Sequence, residues 1–221
     1  MRHLSEYEDK NPGYFGAARR EMLDFVPTSA SVVLDVGCGD GSFGELLKKR
    51  QPCSITGLEF VAVAAAKAET RLDRVIVGSA EIELPFAEES FDCIIFNDVL
   101  EHLVDPWMAV NRFARTLRKG GCMVASIPNV RYFRVLKALV QDKTWVYADK
   151  GVLDRTHLRF FTKKTIPGLF EPAGLHIETL TGINATRRFP AKYALINWLT
   201  FGGLEDARYL QFACVARKGN V

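Results

Sequence analysis

The 221-residue chain contains no apolar run long enough to cross a membrane. A membrane-spanning helix needs about 20 predominantly apolar residues, and no stretch approaches that length. The first ten residues, MRHLSEYEDK, carry too many charges for a secretory signal. The five cysteines are odd in number, lack CxxC spacing and mostly lie in apolar runs, where reduced thiols behave as small hydrophobic groups. We therefore expect a cytoplasmic protein.

The chain also lacks a strong net charge, internal repeats and low-complexity segments. With 29 Lys and Arg against 26 Asp and Glu, the net charge is +3, so we expect no nucleic-acid partner. The two halves nevertheless differ in sign, because residues 1–110 are acidic and residues 111–221 are basic. Either the halves serve different ligands, or their charges interleave in the folded molecule.

Short apolar or β-branched runs alternate with helical patterns, as is typical of an α/β sheet with parallel neighbours. The predicted strands are residues 31–36, 54–59, 74–77, 91–96, 122–127, 175–182 and 209–217. Helices are predicted over 41–50, 61–71, 105–118 and 129–142, and a further helix capped by Thr162 should end before Pro172.

An inserted segment, residues 183–206, separates the last two predicted strands. It combines basic and aromatic or apolar side chains: Arg187, Arg188, Lys192, Tyr193, Trp198, Leu199 and Phe201. This composition fits a substrate cap, a homodimer face or a helix that contacts a membrane surface through 187–203. An ordinary loop followed by a core helix fits equally well.

A glycine-rich loop, GCGDGSFG, follows the first predicted strand. Glycines allow a sharp turn and a close approach of the backbone to a ligand. Gly39, Gly41 and Gly44 match the G-x-G-x-x-G pattern, and Glu59 ends the second strand where an acid can accept hydrogen bonds from a ribose. These features fit NAD and other adenosine cofactors alike.

Two acidic residues distinguish between a dinucleotide and a cofactor without phosphate. Asp35 precedes the loop and Asp40 lies inside it, and both would repel a pyrophosphate at the start of the following helix. They favour a ligand without phosphate whose amino and sulfonium groups are positive.

The segment VLDVGCGDG, residues 33–41, resembles the first motif of class I S-adenosylmethionine-dependent methyltransferases. The similarity continues through Glu59 and through residues 78–86, 91–106 and 117–129. It implies a Rossmann-like, doubly wound sheet of seven strands, mostly parallel with the last strand antiparallel and helices on both faces. The single domain would comprise an N-terminal lid or helix, a cofactor-binding core and a substrate-side half, at residues 1–30, 31–128 and 129–221.

The same resemblance implies a set of residues that bind S-adenosylmethionine. The backbone at Gly37 to Gly39 would face the methionine moiety, Glu59 would hold the ribose, and residues 79–81 would lie beside the adenine. Many relatives have Asp where this chain has Ser79. The N-terminal segment often closes over the cofactor in relatives. The full implied set is Tyr14, Arg19, Asp35, Gly37, Cys38, Gly39, Glu59, Phe60, Ser79, Ala80, Glu81 and Asn97.

Two polar patches are candidates for the transfer chemistry. The methyl group is already activated, but an alcohol acceptor needs a base or a metal to remove its proton. If residues 98–102 form one helical turn, Asp98, Glu101 and His102 share a face, and we assign Glu101 and His102 as catalytic candidates.

The second patch is residues 154–161. If this stretch is extended, Arg155, His157 and Arg159 point the same way and suit an anionic acceptor. We assign His157 to catalysis, and Asp154, Arg155 and Arg159 to acceptor binding.

Together, Asp98, Glu101, His102 and His157 resemble the metal-binding quartet of the small-RNA terminal 2′-O-methyltransferases, with Asp98 in place of a Glu. They are also similar to the corresponding residues of ubiquinone-pathway O-methyltransferases. The resemblance implies Mg²⁺, Mn²⁺ or Zn²⁺, which would gather hydroxyl groups and lower the pKa of the one that attacks. In the alternative, no metal binds, and the His lies near the methyl group or caps a helix.

Residues 131–180 resemble methyltransferases encoded with glycosyltransferases in bacterial surface-polysaccharide pathways. This implies O-methylation of a glycan or another hydroxylated metabolite. A diphosphate on its carrier would explain Arg155, Arg159, Arg187 and Arg188. The alternatives are N- or C-methylation of a small molecule, a cofactor-binding scaffold without turnover and, remotely, a dehydrogenase.

Overall fold

A computed structural model describes residues 16, 18–82, 85–187 and 190–219, with the backbone alone at Lys192. Seven strands form one sheet in the order β3-β2-β1-β4-β5-β7-β6. All neighbours are parallel except β7, which is antiparallel to both β5 and β6. The strands are β1 (Val32–Val36), β2 (Ser54–Glu59), β3 (Arg74–Val77), β4 (Phe91–Asn97), β5 (Leu117–Pro128), β6 (Leu175–Ala185) and β7 (Tyr209–Lys218). The predicted doubly wound, Rossmann-like sheet is confirmed.

The α-helices are α1 (Ser42–Arg50), α2 (Ala62–Ala68), α3 (Pro106–Thr116), α4 (Phe133–Val140), α5 (Pro167–Phe170) and α6 (Ala191–Leu199). Short 3₁₀ helices occupy Arg20–Phe25, Leu100–His102 and Glu171–Ala173. None of the helices in the described ranges is both long and apolar enough to span a bilayer.

The central strand β4 is covered on both faces, as its continuous apolar run predicts. Ile94 and Phe96 join one buried cluster, in which Phe96 meets the ring of Phe113 on α3 at 5.2 Å. Cys93 and Ile95 join the cluster on the opposite face. Because side chains alternate along β4, this one strand contributes to the buried clusters on both faces of the sheet. The packing on both faces fixes the position of the carboxyl end of the strand.

Two predicted helix boundaries are wrong for tertiary reasons. Helix α3 ends at Thr116, because Leu117 is fully buried and pairs with Phe91 as the start of β5. Helix α4 begins only at Phe133, since the Asn129 side chain donates to the carbonyls of Asp206 and Tyr209 at 2.9 and 3.0 Å. Each residue is held by a partner far away in the sequence, which local patterns do not show.

The region after Thr162 also differs from the prediction. A turn over residues 162–166 precedes the short α5, and Pro172 lies within the following 3₁₀ helix. Strand β6 continues to Ala185, so the inserted segment begins at residue 186 and contains α6.

Candidate active site

A cavity of about 490 Å³ opens where β1, β2 and β4 end. In open α/β sheets, ligands bind at the carboxyl ends of the strands, so this is the expected location of a site. Sixteen of the residues predicted from the sequence line it: Arg19, Asp35, Gly37, Cys38, Gly39, Glu59, Phe60, Ser79, Ala80, Glu81, Asn97, Asp98, Glu101, His102, Asp154 and His157. Tyr14 lies outside the described residues. Arg155 and Arg159 are not part of the lining.

The glycine loop forms one wall of the cavity through a tight turn. Gly37 has a φ of +67° and donates its N–H to the carbonyl of Leu58 at 2.7 Å. A Cβ atom on Gly37 would lie 2.6 Å from Cγ2 of Val99. The turn therefore needs glycine for its backbone angle and for its close contact with the segment after β4.

Glu59 is fixed at the end of β2 by the backbone of this loop. Its Oε2 accepts from the N–H of Gly39 at 2.8 Å, and its Oε1 accepts from the N–H of Val61 at 2.9 Å. Burial raises the pKa of Glu59 although both hydrogen bonds lower it. Each oxygen keeps a further lone pair, so this fixed carboxylate can accept hydrogen bonds from ligand hydroxyls.

Asp35 and Asn97 present buried polar atoms without hydrogen-bond partners within the described structure. These atoms are Oδ2 of Asp35 and both side-chain polar atoms of Asn97. Burial, followed by the nearby Glu59, raises the pKa of Asp35 to about 7. Because buried polar groups are normally paired, such atoms in a cavity are expected to meet a polar ligand. They fit the amino acid and nucleoside groups of S-adenosylmethionine.

Asp40 has a different role from the one the sequence suggested. Its Oδ1 accepts from the N–H and hydroxyl of Ser42 at 3.0 and 2.6 Å, and its Oδ2 lies 2.7 Å from the Arg71 guanidinium. Burial alone would raise its pKa, but these contacts lower it. The acidic character of the cavity here comes from Asp35 and Glu59, while Asp40 secures the start of α1.

At the other end of the cavity, Glu101, His102 and His157 form a compact group. One ligand atom from each residue lies within 4.8 Å of the other two. The imidazole rings of His102 and His157 meet edge to face with centroids 4.7 Å apart. Nε2 of His157 lies 3.9 Å from Oε1 of Glu101. The structure therefore brings together three of the four residues that the sequence suggested as a group.

Backbone carbonyls orient both imidazoles. Nδ1 of His102 lies 3.1 Å from the carbonyl oxygen of Thr156, and Nδ1 of His157 lies 2.9 Å from that of Val152. Because a carbonyl oxygen can only accept, each Nδ1 must carry the proton. In the neutral rings, the lone pair is therefore on Nε2, where it can accept a proton or bind a metal ion.

Glu101 is the most unusual residue of the group. Its side chain is 1% exposed, and neither carboxylate oxygen has a hydrogen-bond partner within the described part of the chain. Burial, and then the nearby Asp98, raises its pKa well above the ordinary value. A buried carboxyl group without a partner costs stability, so its presence in a cavity indicates a functional role.

Asp98 lies outside this group, and the predicted helical turn over 98–102 is wrong. Asp98 has a φ of +55°, and the 3₁₀ helix begins only at Leu100. Its carboxylate accepts from the hydroxyl of Ser126 at 2.9 Å and from Nε2 of Gln211 at 2.6 Å, and it lies 3.1 Å from the Arg19 guanidinium. The predicted metal quartet is therefore a trio together with a separate, fully paired aspartate.

The predicted extended patch over 154–161 is also wrong. The carbonyl of Glu101 accepts from the N–H groups of Leu158 and Arg159, at 2.8 and 3.0 Å, and this pairing draws the preceding turn against the cavity. Arg155 pairs instead with Asp149 at 2.6 Å, on the exterior.

The side chains of this patch consequently diverge. Nε of Arg159 donates to the carbonyl of Val104 at 3.1 Å, and its guanidinium stacks over the Trp107 ring. The Asp154 carboxylate accepts from the backbone and hydroxyl of Thr156 at 2.9 and 2.7 Å. Of the three predicted cationic groups, only His157 reaches the cavity.

Sequence reasoning missed Gln211 of β7. The Gln211 side chain closes the cavity beside Asp98. Its Nε2 donates to the Asp98 carboxylate, and its Oε1 accepts from the Arg19 guanidinium at 2.8 Å. The available signal is a single amide within the apolar strand YLQFACVA, because a polar residue in a buried strand needs a partner.

A family model described as a methyltransferase domain matches residues 8–180, well over half of the chain. The protein therefore belongs to the class I S-adenosylmethionine-dependent methyltransferases, and its cofactor is S-adenosylmethionine. The family predicted from the sequence is confirmed.

Two curated relatives are methyltransferases of different acceptors. The ubiquinone biosynthesis O-methyltransferase of Hydrogenovibrio crunogenus is 26% identical over 187 residues, covering 78% of this chain and 76% of that protein. The trans-aconitate 2-methyltransferase of Escherichia coli is 26% identical over 209 residues, covering 89% and 79%. Among solved structures, an S-adenosylmethionine-dependent methyltransferase from Thermotoga maritima matches with a TM-score of 0.68 at 22% identity, over 99% of this chain and 100% of that one.

Proposed function

We propose that the protein transfers the methyl group of S-adenosylmethionine to a hydroxyl oxygen of an uncharged metabolite, such as a sugar unit of a glycan. The observation that carries this proposal is the trio of buried Glu101, half-buried His102 and buried His157 in the cavity. An already nucleophilic amine needs no such group, whereas an alcohol must lose a proton as its oxygen attacks.

The trio can supply this proton transfer. The oxygen–carbon bond forms as the carbon–sulfur bond breaks, S-adenosylhomocysteine leaves, and the hydroxyl proton passes to Nε2 of a neutral imidazole. His157 suits this role because Glu101, 3.9 Å away, would stabilise the resulting imidazolium. The backbone carbonyl of Val152 keeps the ring in the tautomer that can accept the proton.

The same residues fit a divalent cation. A carboxylate without other partners and two imidazoles, with ligand atoms within 4.8 Å of one another, form a donor set typical of Mn²⁺ or Zn²⁺ sites. Glu101, His102 and His157 would hold the ion, and when bound it would lower the pKa of an acceptor hydroxyl.

The charge of the cavity favours an uncharged acceptor. Carboxylates of Asp98, Glu101 and Asp154 line this region, while Arg19 is held by Asp98 and Gln211. The arginines that the sequence suggested for a phosphate, Arg155 and Arg159, are engaged outside the lining. A carboxylate or phosphate near the reacting oxygen would therefore be repelled.

The test is a methyl-transfer assay with isotopically labelled S-adenosylmethionine. The panel contains methyl glycosides, sugar nucleotides, catechols, trans-aconitate and primary amines, and nuclear magnetic resonance locates the label in each product. We expect oxygen labelling of neutral hydroxyl compounds. Labelling on nitrogen or carbon, or transfer to trans-aconitate alone, would overturn the proposal.

The metal requirement is measured in the same assay. We expect EDTA to reduce turnover, and Mn²⁺ or Zn²⁺ to restore it more effectively than Ca²⁺, which prefers all-oxygen sites. Full activity in EDTA would leave the imidazole as the base and exclude a required metal.

A further inference from the structure

Helix α6 exposes most of its large apolar side chains. Tyr193 is buried, and Asn197, one helical turn later, accepts from the N–H of Leu204 at 2.7 Å. The four large apolar side chains on the rest of the helix are exposed, namely Leu195, Ile196, Trp198 and Leu199. An ordinary surface helix buries its apolar face, so this arrangement indicates contact with another apolar phase.

The turn after α6 adds a fifth apolar group. Phe201 is 99% exposed and has a φ of +51°, which is rare for a bulky residue. Together with Trp198 and Leu199, it surrounds a shallow depression on the surface. We call Leu195, Ile196, Trp198, Leu199 and Phe201 the α6 surface.

The α6 surface is held firmly on the protein. The Arg131 guanidinium lies 3.0 Å from the Asp206 carboxylate and also donates to the carbonyl of Gly203. Phe133 of α4 meets Tyr193 with ring centroids 5.6 Å apart. The exposed side chains are therefore presented by an anchored element.

The sequence of this segment is predominantly basic. Residues 187–204 contain three basic residues and no acidic residue, and Arg187 is exposed. The acids that follow are Glu205, which is exposed, and Asp206, which faces inward to Arg131. Trp, Phe and Leu beside Arg and Lys form the composition that binds the interface of anionic membranes.

We propose that the α6 surface docks onto the headgroup and outer acyl region of a bilayer that contains anionic lipid. A second copy of this chain fits less well, because a two-fold contact would bring the basic segments 187–204 of both copies together. A lipid surface needs no matched shape. The helix has nine residues, about 13 Å in length, and lies in the interface without spanning the bilayer.

The α6 surface lies next to the cavity along the chain. The turn leads directly into β7, whose Leu210 and Gln211 line the cavity. Docking therefore brings the site close to the membrane. The proposal does not depend on the acceptor, since it concerns binding of the protein alone.

The experiment is co-sedimentation of the purified protein with vesicles of phosphatidylcholine, with or without phosphatidylglycerol. We expect binding to the phosphatidylglycerol vesicles and weaker binding at high salt. The double variant Trp198→Ala/Phe201→Ala should lose at least about tenfold in partition coefficient. Arg187→Glu should weaken binding at low salt only.

Trp107→Ala is the matched control, because it removes a partly exposed tryptophan on α3, away from the α6 surface. Binding of S-adenosylhomocysteine verifies that each variant is folded. The proposal fails if the wild-type protein sediments with neither vesicle, or if the double variant binds as well as the wild type. It also fails if ultracentrifugation shows a dimer that the double variant dissociates while vesicle binding is absent, which would assign the surface to a second copy.

Discussion

Glu101 places a carboxyl group, buried and without a hydrogen-bond partner in the described structure, in the wall of the cavity. Leu100 and Glu101 are buried in the same short helix, but only Leu100 gains from that burial. The unpaired Glu101 costs free energy, and its cavity position explains why the fold tolerates it.

We expect Glu101→Gln to separate stability from activity. The substitution removes the desolvation cost of a charge, so the melting temperature at pH 8 should rise by about 2–4 °C, corresponding to about 1 kcal/mol. Turnover should fall by about 10²–10⁴-fold. Scanning calorimetry and the methyl-transfer assay measure the two effects.

The pH dependence of this stability gain has a definite sign. The pKa of Glu101 is raised on folding, so wild-type stability is complete below the ordinary glutamate pKa and declines as the pH rises. The advantage of Glu101→Gln should therefore disappear near pH 4. Glu69→Gln, at an exposed position, is the control. A variant with lower stability at pH 8, or with normal turnover, contradicts this account.

Asp35 should make cofactor binding depend on pH. Its pKa of about 7 means that the free protein is partly protonated there, whereas a cationic ligand favours the ionised form. Affinity for S-adenosylmethionine should rise between pH 6 and 7, by up to about tenfold, and then level off, with protons released on binding.

Calorimetry in two buffers of different ionisation enthalpy measures both the affinity and the proton release. Asp35→Asn should bind more weakly and show a flat profile over the same range. A wild-type affinity that falls as the pH rises would show that Asp35 does not face the positive groups.

At the scale of the element, the turn after β1 explains how the fold places backbone against the cofactor. Gly37 combines a positive φ with a close contact to Val99, two separate reasons to exclude a side chain. The conformation alone costs about 1–2 kcal/mol for alanine, and the contact adds to it.

Urea unfolding of three alanine variants separates the cost of the positive φ from the cost of the contact with Val99. Gly168→Ala, in a helix with open space, should be neutral or slightly stabilising. Gly174 has a φ of +78° and open space around it, so the free energy of unfolding of Gly174→Ala should fall only by the conformational cost. Gly37→Ala should show the largest fall in the free energy of unfolding, and it should also bind S-adenosylhomocysteine poorly. Equal losses for Gly37→Ala and Gly174→Ala would show that the contact with Val99 relaxes freely.

The two ends of α3 differ in how far local sequence predicts them. The start of α3 depends on local chemistry, since Asp105 accepts from the N–H of Met108 at 2.9 Å and Pro106 takes the first helical position. Its end depends on the pairing of Leu117 with Phe91, 26 residues earlier in the chain. The prediction of an extended stretch over 154–161 was wrong for a similar reason. The carbonyl of Glu101, more than 50 residues earlier, accepts from the N–H groups of Leu158 and Arg159 and bends this stretch.

At the scale of the whole molecule, ion pairs connect the acidic and basic halves. Arg118 lies 2.7 Å from Asp92, and Arg115 lies 2.8 Å from Glu88. The first of these helps to lower the pKa of Asp92 to about 2, against the effect of burial. At these positions the charges interleave, as one of the two sequence-based alternatives predicted.

Cofactor binding should stabilise the whole sheet. At a concentration of S-adenosylhomocysteine about 100 times its dissociation constant, linkage gives about 2.7 kcal/mol, or a rise of about 5–10 °C in melting temperature. NAD should give no rise, because its diphosphate would meet the carboxylate of Asp35 beside the glycine turn. A thermal shift with NAD comparable to that with S-adenosylhomocysteine would contradict the assignment of the cavity.

The sequence by itself determined where the strands lie along the chain, the glycine turn and the acidic residues Asp35 and Glu59 of the cofactor site, because these depend on local periodicity and on motifs within short segments. Only the tertiary structure decided which polar side chains meet. His102 and His157 lie 55 positions apart, and the carbonyl of Glu101 brings their segments together. The positive φ of Asp98 turns that residue toward Arg19 and Gln211 instead. Such partners are set by packing and long-range hydrogen bonds, which residue patterns along one segment do not contain.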